Sequence, residues 1–240
     1  MPVLQEKSVS YRYFDVLMAV SVVVLLLSNV ASSAKIVDLG FSIFTVPMAF
    51  DGGTLLFPLA YVLSDIVTEV YGFKASRRVI WTGFGLLAFS ALVFFTLKLL
   101  PGESSWEAEA GSSAYNAILG GISSGGIILA SLAGYLVGVF SNSILHSKIK
   151  VKMRGRMLWF RAMCSSLVGE LLDSTVFVSI ACLTGVFGWH LFLSLALTNY
   201  LLKVLIEALV LPVSYGVSRF LKKREGIDVF DEGIKYKLFG

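Results

Sequence analysis

Apolar residues fall along this chain in long blocks, not at the two-residue period of a sheet. Six blocks approach membrane-crossing length: Phe14 to Ala34, Thr54 to Val70, Val79 to Leu100, Ile118 to Leu145, Ala162 to Val186 and His190 to Phe220. A helix needs about 20 mainly apolar residues to cross a hydrocarbon core. The blocks therefore predict an all-α membrane protein with six transmembrane helices, and residues 1–240 read as a single transmembrane domain with no room for a soluble one. Between the first two blocks, Phe41 to Phe50 is apolar but too short to cross, and it runs into Asp51-Gly52-Gly53, a turn signal. Residues 36–53 form a re-entrant segment, a hairpin or a surface loop at the outer mouth. Re-entrant backbone at membrane depth requires protein or a wet cavity around it.

The polar positions inside the blocks are few and regularly spaced. In the second block Tyr61, Asp65 and Glu69 recur every four residues, which places them on one helical face below Pro58. In the fifth, Glu170 and Asp173 are three apart and share a face. In the sixth, Asn199, Lys203 and Glu207 form an inclined stripe about 12 Å long. Asn29 is a further polar candidate near the end of the first block. A charge at a helix centre costs about 3 kcal/mol, so these five acids and Lys203 must face one another or a wet cavity. With a single lysine among five acids, pairing neutralises only one or two, and the rest are protonated, hydrated or bound to a solute. That imbalance points to a small-molecule substrate moved through the bilayer, where a polar clamp fixing helix register is the plainer reading.

Composition and charge agree. Apolar residues make up 56% of the 240 and charged ones 15%, with a mean hydropathy of +0.81, outside the range of ordinary soluble domains. The basic balance, +4 at neutral pH, has a topological source and implies no nucleic-acid partner. With the N-terminus inside, every basic residue except Lys35, Lys98 and Lys203 falls on inner segments, including Lys7, the run Lys148 to Arg161 and the group Arg219 to Arg224. The outer loop after the third block carries Glu103, Glu107 and Glu109. The expected topology is N-in and C-in in a cytoplasmic membrane. Treating Val16 to Leu27 as the apolar region of a cleaved secretory signal would break this alternation.

Other chemistries find little support. Cys164 and Cys182 lie about 27 Å apart along one helix, too far to be bridged. His146 and His190 sit near opposite faces, so no metal set and no histidine base at the midplane is expected, and no nucleotide-binding motif or cofactor site is found. Glycines 120, 121, 125, 126, 134 and 138 give the fourth helix a small-residue surface for close packing. A short echo relates Leu136-Val137-Gly138 with Asn142-Ser143 to Leu167-Val168-Gly169 with Asp173-Ser174. Between adjacent antiparallel helices a true repeat would be inverted, an arrangement that places transport sites on its axis.

The run Phe57-Pro58-Leu59-Ala60-Tyr61-Val62-Leu63-Ser64-Asp65-Ile66-Val67-Thr68-Glu69-Val70-Tyr71-Gly72, followed by Arg77-Arg78, resembles the signature of the queuosine precursor transporters, also called vitamin uptake transporters. Asn29, Lys35, Ser131-Leu132, Tyr135, Arg161, Ser165, Asp173, Phe177, Asn199-Tyr200, Lys203, Glu207 and Pro212 extend the likeness over nearly the whole chain. The chain departs from the family pattern at Val139 and Asn142, where Gln and Asp are usual. The resemblance implies import of a 7-deazaguanine such as the 7-cyano base, the 7-aminomethyl base or queuine, for tRNA modification. A guanine-like edge offers adjacent N1–H and NH2 donors that one carboxylate accepts together, which suits Asp65, Glu69, Glu170 or Asp173. Asn199 or Asn29 would address the carbonyl and ring nitrogens, and Phe57, Tyr61 or Tyr200 would stack. Proton coupling is one energy source; a substrate-binding subunit with an ATPase partner is the alternative, and a membrane enzyme acting on a lipid or quinone a third. The sequence leaves a homo-oligomer open.

Overall fold

The computed structural model describes residues 11–239 other than 44, 45 and 124. Lys7 and the tip of the segment between the first two helices lie outside the described residues. The first helix, α1, covers Phe14–Ala34, the whole of the first apolar block. It is followed by two antiparallel strands, β1 (Ile36–Ile43) and β2 (Val46–Asp51), with Ile36 opposite Asp51 and Ile43 opposite Val46. Residues 36–51 are thus a β-hairpin, one of the three forms the sequence allowed. A 3-10 turn over Gly52–Leu55 then leads into α2 (Phe57–Tyr71). This helix starts at Phe57 and not at Thr54, because Pro58 suits a first helical turn, where no N–H partner is needed.

Gly72 joins α2 directly to α3 (Phe73–Leu99) with φ at +81°, and a Cβ there would come 2.7 Å from Val229. That backbone and that crowding both favour glycine. The fourth apolar block lies in the helical segment 111–152, described as α5 (Gly111–Ser123) and α6 (Gly125–Lys152) on either side of residue 124, and is preceded by a short α4 (Ser104–Glu109) in the acidic loop. The remaining helices are α7 (Leu158–Leu183) and α8 (Phe192–Glu225), the latter with Pro212 inside it. Helices α3, α6, α7 and α8 overrun their apolar blocks with charged turns at one or both ends. Backbone hydrogen bonding continues past the hydrocarbon boundary, so hydropathy marks the membrane and not the helix.

Five helical segments, 14–34, 73–99, 111–152, 158–183 and 189–225, are long and apolar enough to cross a membrane. The chain is therefore a mostly helical, multi-pass membrane protein. At 15 residues α2 rises about 22 Å, short of a hydrocarbon core of about 30 Å.

The helices run between two ends. At one, the backbone N–H of Tyr13 donates to Glu225 at 2.7 Å, so α1 begins where α8 finishes, and Tyr71 at the end of α2 donates to the same carboxylate. At the other end Ser33 reaches Ile118, and the foot of the hairpin meets the start of α8. The first of these, the basic end, is covered by residues 227–239. There Asp231 accepts from the backbone of Phe73 at 2.8 Å and from Ser147 at 2.6 Å, and Trp81 donates to the carbonyl of Leu238.

Helices α6 and α7 approach most closely through glycine. A Cβ on Gly138 would stand 2.6 Å from Asp173 Cβ and 2.9 Å from the carbonyl of Gly169; one on Gly169 would stand 2.8 Å from Asn142 Cβ and 2.9 Å from the carbonyl of Gly138. The contacts are reciprocal, each glycine meeting the other and the residue four places after it. The sequence echo is thus expressed as a local two-fold relation between antiparallel helices. By contrast, a Cβ on Gly125 would meet nothing within 4 Å, and only part of the expected small-residue surface is used for packing.

Candidate functional site

The spacing in α2, α7 and α8 turns their polar stripes inward. Asp65 and Glu69 on α2, Glu170 and Asp173 on α7, and Lys203 and Glu207 on α8 are all nearly inaccessible. Lys203 donates to Asp173 at 2.6 Å and lies 4.9 Å from the ring centre of Phe57, so the expected acid–lysine pair forms with an aromatic face beside it. Tyr61 is buried and donates to the carbonyl of Gly169 at 3.3 Å, on the local two-fold of α6 and α7.

Glu170 and Glu207 are the exceptional pair. Their carboxyl groups face each other, close enough to share a proton, with Ser166 beside Glu207 and Asp65 within electrostatic reach, and no cation forms an ion pair with either among the described residues. Two buried carboxyls that share one proton leave most of their acceptor capacity unused, which is costly. Two such groups side by side, next to an aromatic face and a lysine, form a surface that favours a ligand rich in N–H donors.

Toward the basic end the stripe continues as a ladder. Asp65 accepts from Asn142 at 2.8 Å, and Ser166 reaches it at 3.5 Å. His146 on α6 stands between the two acids of α2, with Nδ1 3.3 Å from Asp65 and Nε2 3.0 Å from Glu69. Glu69 also receives Arg161 at 2.9 Å and Lys222 at 2.5 Å, and Lys150 is 3.8 Å away. Lys150 and Lys222 both extend to Asp228 in the covering segment.

These cations revise the charge balance expected from the sequence. Lys203 does not face five acids alone, because Arg161, Lys150 and Lys222 fold inward from the basic end and hold Glu69. Arg161 is 0% exposed although hydropathy places it in a loop. Its long stem lets a residue at the first turn of α7 send its guanidinium into the bundle. His146, excluded by its distance from the midplane, is likewise part of the buried network; it and Lys150 lie one turn apart on α6. The sequence signal that would have found Arg161 was its place in the family pattern. The departure at Asn142 supplies the donor for Asp65, so that position contributes in place of the usual acid.

The remaining candidates divide. Asn199 is bound to Asp51 at 2.9 Å and to Thr54 at 3.0 Å, fastening α8 to the hairpin foot, where Asp51 also accepts from Ser32 and from the backbone of Gly53. Asn29 donates to the carbonyl of Leu25 on its own helix at 2.9 Å. Tyr200 is half-buried and within reach of the Glu170 charge. Of the two surroundings expected for the acids, one another or a wet cavity, this structure shows the first, with Glu170 at 0% and Glu207 at 1% exposure. Open cavities lie elsewhere, including one of about 230 Å³ beside Trp106 and Tyr115 and another of about 580 Å³ beside Arg77 and Trp81. No group of three or more histidine, cysteine or acidic side chains is placed to hold a metal ion among the described residues.

A family model described as "Putative vitamin uptake transporter" matches residues 51–217. The chain is 24% identical over 174 residues to a Bacillus subtilis protein named "Probable queuosine precursor transporter", a match spanning 72% of this chain and 73% of that one. A Haemophilus influenzae protein of the same name is 26% identical over 169 residues, 69% of this chain and 66% of that one. No solved structure matches the chain.

Proposed function

Since the chain belongs to the vitamin uptake transporter family, we propose that it imports a 7-deazaguanine queuosine precursor through the buried site between α2, α7 and α8. The observation that carries this reading is the pair Glu170 and Glu207, two buried carboxyls that face each other with no cation paired to either among the described residues. A 7-deazaguanine brings N1–H and NH2 on one edge, a bidentate match for a carboxylate. Phe57 and Tyr61 supply flat apolar surface for the fused rings, with Lys203 positioned to meet the carbonyl. The enclosed geometry is that of an occluded state, and carriage requires each end to open in turn.

In the same proposal residues 1–240 are one transporter domain of the cytoplasmic membrane, with six crossings and both termini inside. Alternate opening of the hairpin end and the basic end is driven by proton movement rather than by an ATPase partner. Buried carboxylates supply the proton site.

The deciding experiment expresses the chain in a strain unable to make queuosine precursors and supplies the cyano base, the aminomethyl base or queuine. Queuosine in tRNA is the readout. We expect restoration by at least one base, lost in Glu170→Gln and Glu207→Gln although both proteins reach the membrane. Queuosine that stays absent with all three bases would remove the reading. Exchange of labelled base by the purified chain in liposomes separates autonomous transport from dependence on an ATPase.

A further inference from the structure

The ladder below the site has a function of its own. We infer that His146 is a proton-transfer station linking the carboxylates of the transport site to the basic end of the protein. The inference rests on the proposed transport reading for its biological role, and on geometry for its chemistry.

An imidazole fixed only as packing needs one partner, whereas this ring is bracketed by two acids, Asp65 at Nδ1 and Glu69 at Nε2, placed one helical turn apart on α2. The side chains along the path grow more accessible in order: His146 at 0%, Glu69 at 1%, Lys222 at 23% and Asp228 at 42%. At its upper end Asp65 lies within electrostatic reach of Glu207, with Ser166 nearby. A continuous line of proton-exchanging groups therefore runs from the closed site to solvent at the basic end.

The other groups facing the ring suit this task. From α7, Ser165 stands 3.4 Å from Nδ1, and Arg161 acts through Glu69; from α8, Lys222 acts through Glu69; His146's own helix contributes Lys150. Lys150 and Lys222 also reach Asp228, so Glu69 is tied to the exposed end of the path.

In one passage, protonated Asp65 gives its proton to Nδ1 of neutral His146, forming the imidazolium. The imidazolium then gives its Nε2 proton to Glu69. Asp65 has lost one proton, Glu69 has gained one, and the ring is left as its Nδ1–H tautomer; once the basic end opens, water gives a proton to Nε2 and takes the one on Nδ1, which restores the starting tautomer. Lys222, which reaches both carboxylates, gives a proton to Asp228 and takes the one on Glu69, so the ammonium is restored and Asp228 releases its proton to solvent.

Two measurements on the full chain in liposomes test this. The first is 15N NMR of histidine-labelled protein, using His190→Gln so that His146 gives the single signal. His146 should take up and release a proton within the pH range in which the protein stays folded; a ring in one protonation state throughout overturns the inference. The second compares His146→Gln with the parent in exchange of labelled 7-aminomethyl-7-deazaguanine and in its accumulation under an imposed proton gradient. The variant should exchange within about twofold of the parent and lose at least about tenfold in gradient-driven accumulation. Undiminished accumulation by His146→Gln, or equal loss of exchange and accumulation, overturns the relay and leaves a structural clamp. If the parent exchanges no deazaguanine, that failure belongs to the transport reading, and the NMR titration still decides the relay.

Discussion

Lys203 and Asp173 stand 2.6 Å apart with their side chains 5% and 8% exposed, so deleting either strands a charge inside protein. Lys203→Met should lower stability by about 3–5 kcal/mol, read as a fall in Tm of the detergent-purified protein. Pairing it with Asp173→Leu should restore most of that stability without restoring uptake, because packing can replace an ion pair but cannot replace its chemistry. Glu170 and Glu207 obey a different rule. Neither has a cation partner among the described residues, and an amide can replace the hydrogen bond between the two carboxyls, so a change to glutamine should cost little stability while reducing uptake about 10- to 100-fold, the worth of a hydrogen bond to a charged group. Uptake at the parent level in both variants would remove the pair from the site.

These residues were visible in the sequence for a simple reason: Asp65, Glu69, Glu170, Asp173, Lys203 and Glu207 are charges in apolar surroundings, and their burial follows from the spacing of their helices. Arg161, Lys150 and Lys222 were not visible as site residues because they sit in or near the basic turns, where hydropathy alone predicts solvated surface. Their inward reach is a matter of side-chain length and of what the neighbouring helix presents.

At the scale of elements, the contact between α6 and α7 is set by backbone proximity. Gly138→Ala should destabilise by about 1–3 kcal/mol, since the new methyl would overlap both Asp173 and Gly169, whereas Gly85→Ala on α3 meets nothing within 4 Å and should be neutral or slightly stabilising. Thermal unfolding of the two variants in one detergent tests the contrast. The start of α3 is held from a distance in sequence: Asp231 accepts from the Phe73 N–H as a cap side chain does. Asp231→Ala should cost about 1–2 kcal/mol by the same measurement, and Asp231→Asn should recover part of it. Apolar length and i, i+4 spacing gave most of these helices in advance. The late start of α2 and the overrun of α3 and α6 were hidden, because they depend on local hydrogen bonding that average hydropathy does not report.

At the scale of the molecule, the meeting of α1 and α8 at Glu225 puts the first and last helical turns at one end. Reporter fusions at the N-terminus and C-terminus should therefore both be active on the cytoplasmic side of the membrane; opposite locations would contradict the proposed orientation.

The sequence by itself determined that this chain lives in a bilayer, that a small set of charges is buried in it, and that positive charge collects at one end. Those properties follow from how much apolar chain a membrane demands and what a charge costs inside it. Only the tertiary structure decided the pairing: Glu69 with three cations, His146 between two acids, Glu170 beside Glu207 with no cation paired to either among the described residues. A helix's own sequence fixes which residues share a face. Its rotation, its depth and the partner that face meets are fixed by packing against other helices, which no single stretch of chain contains.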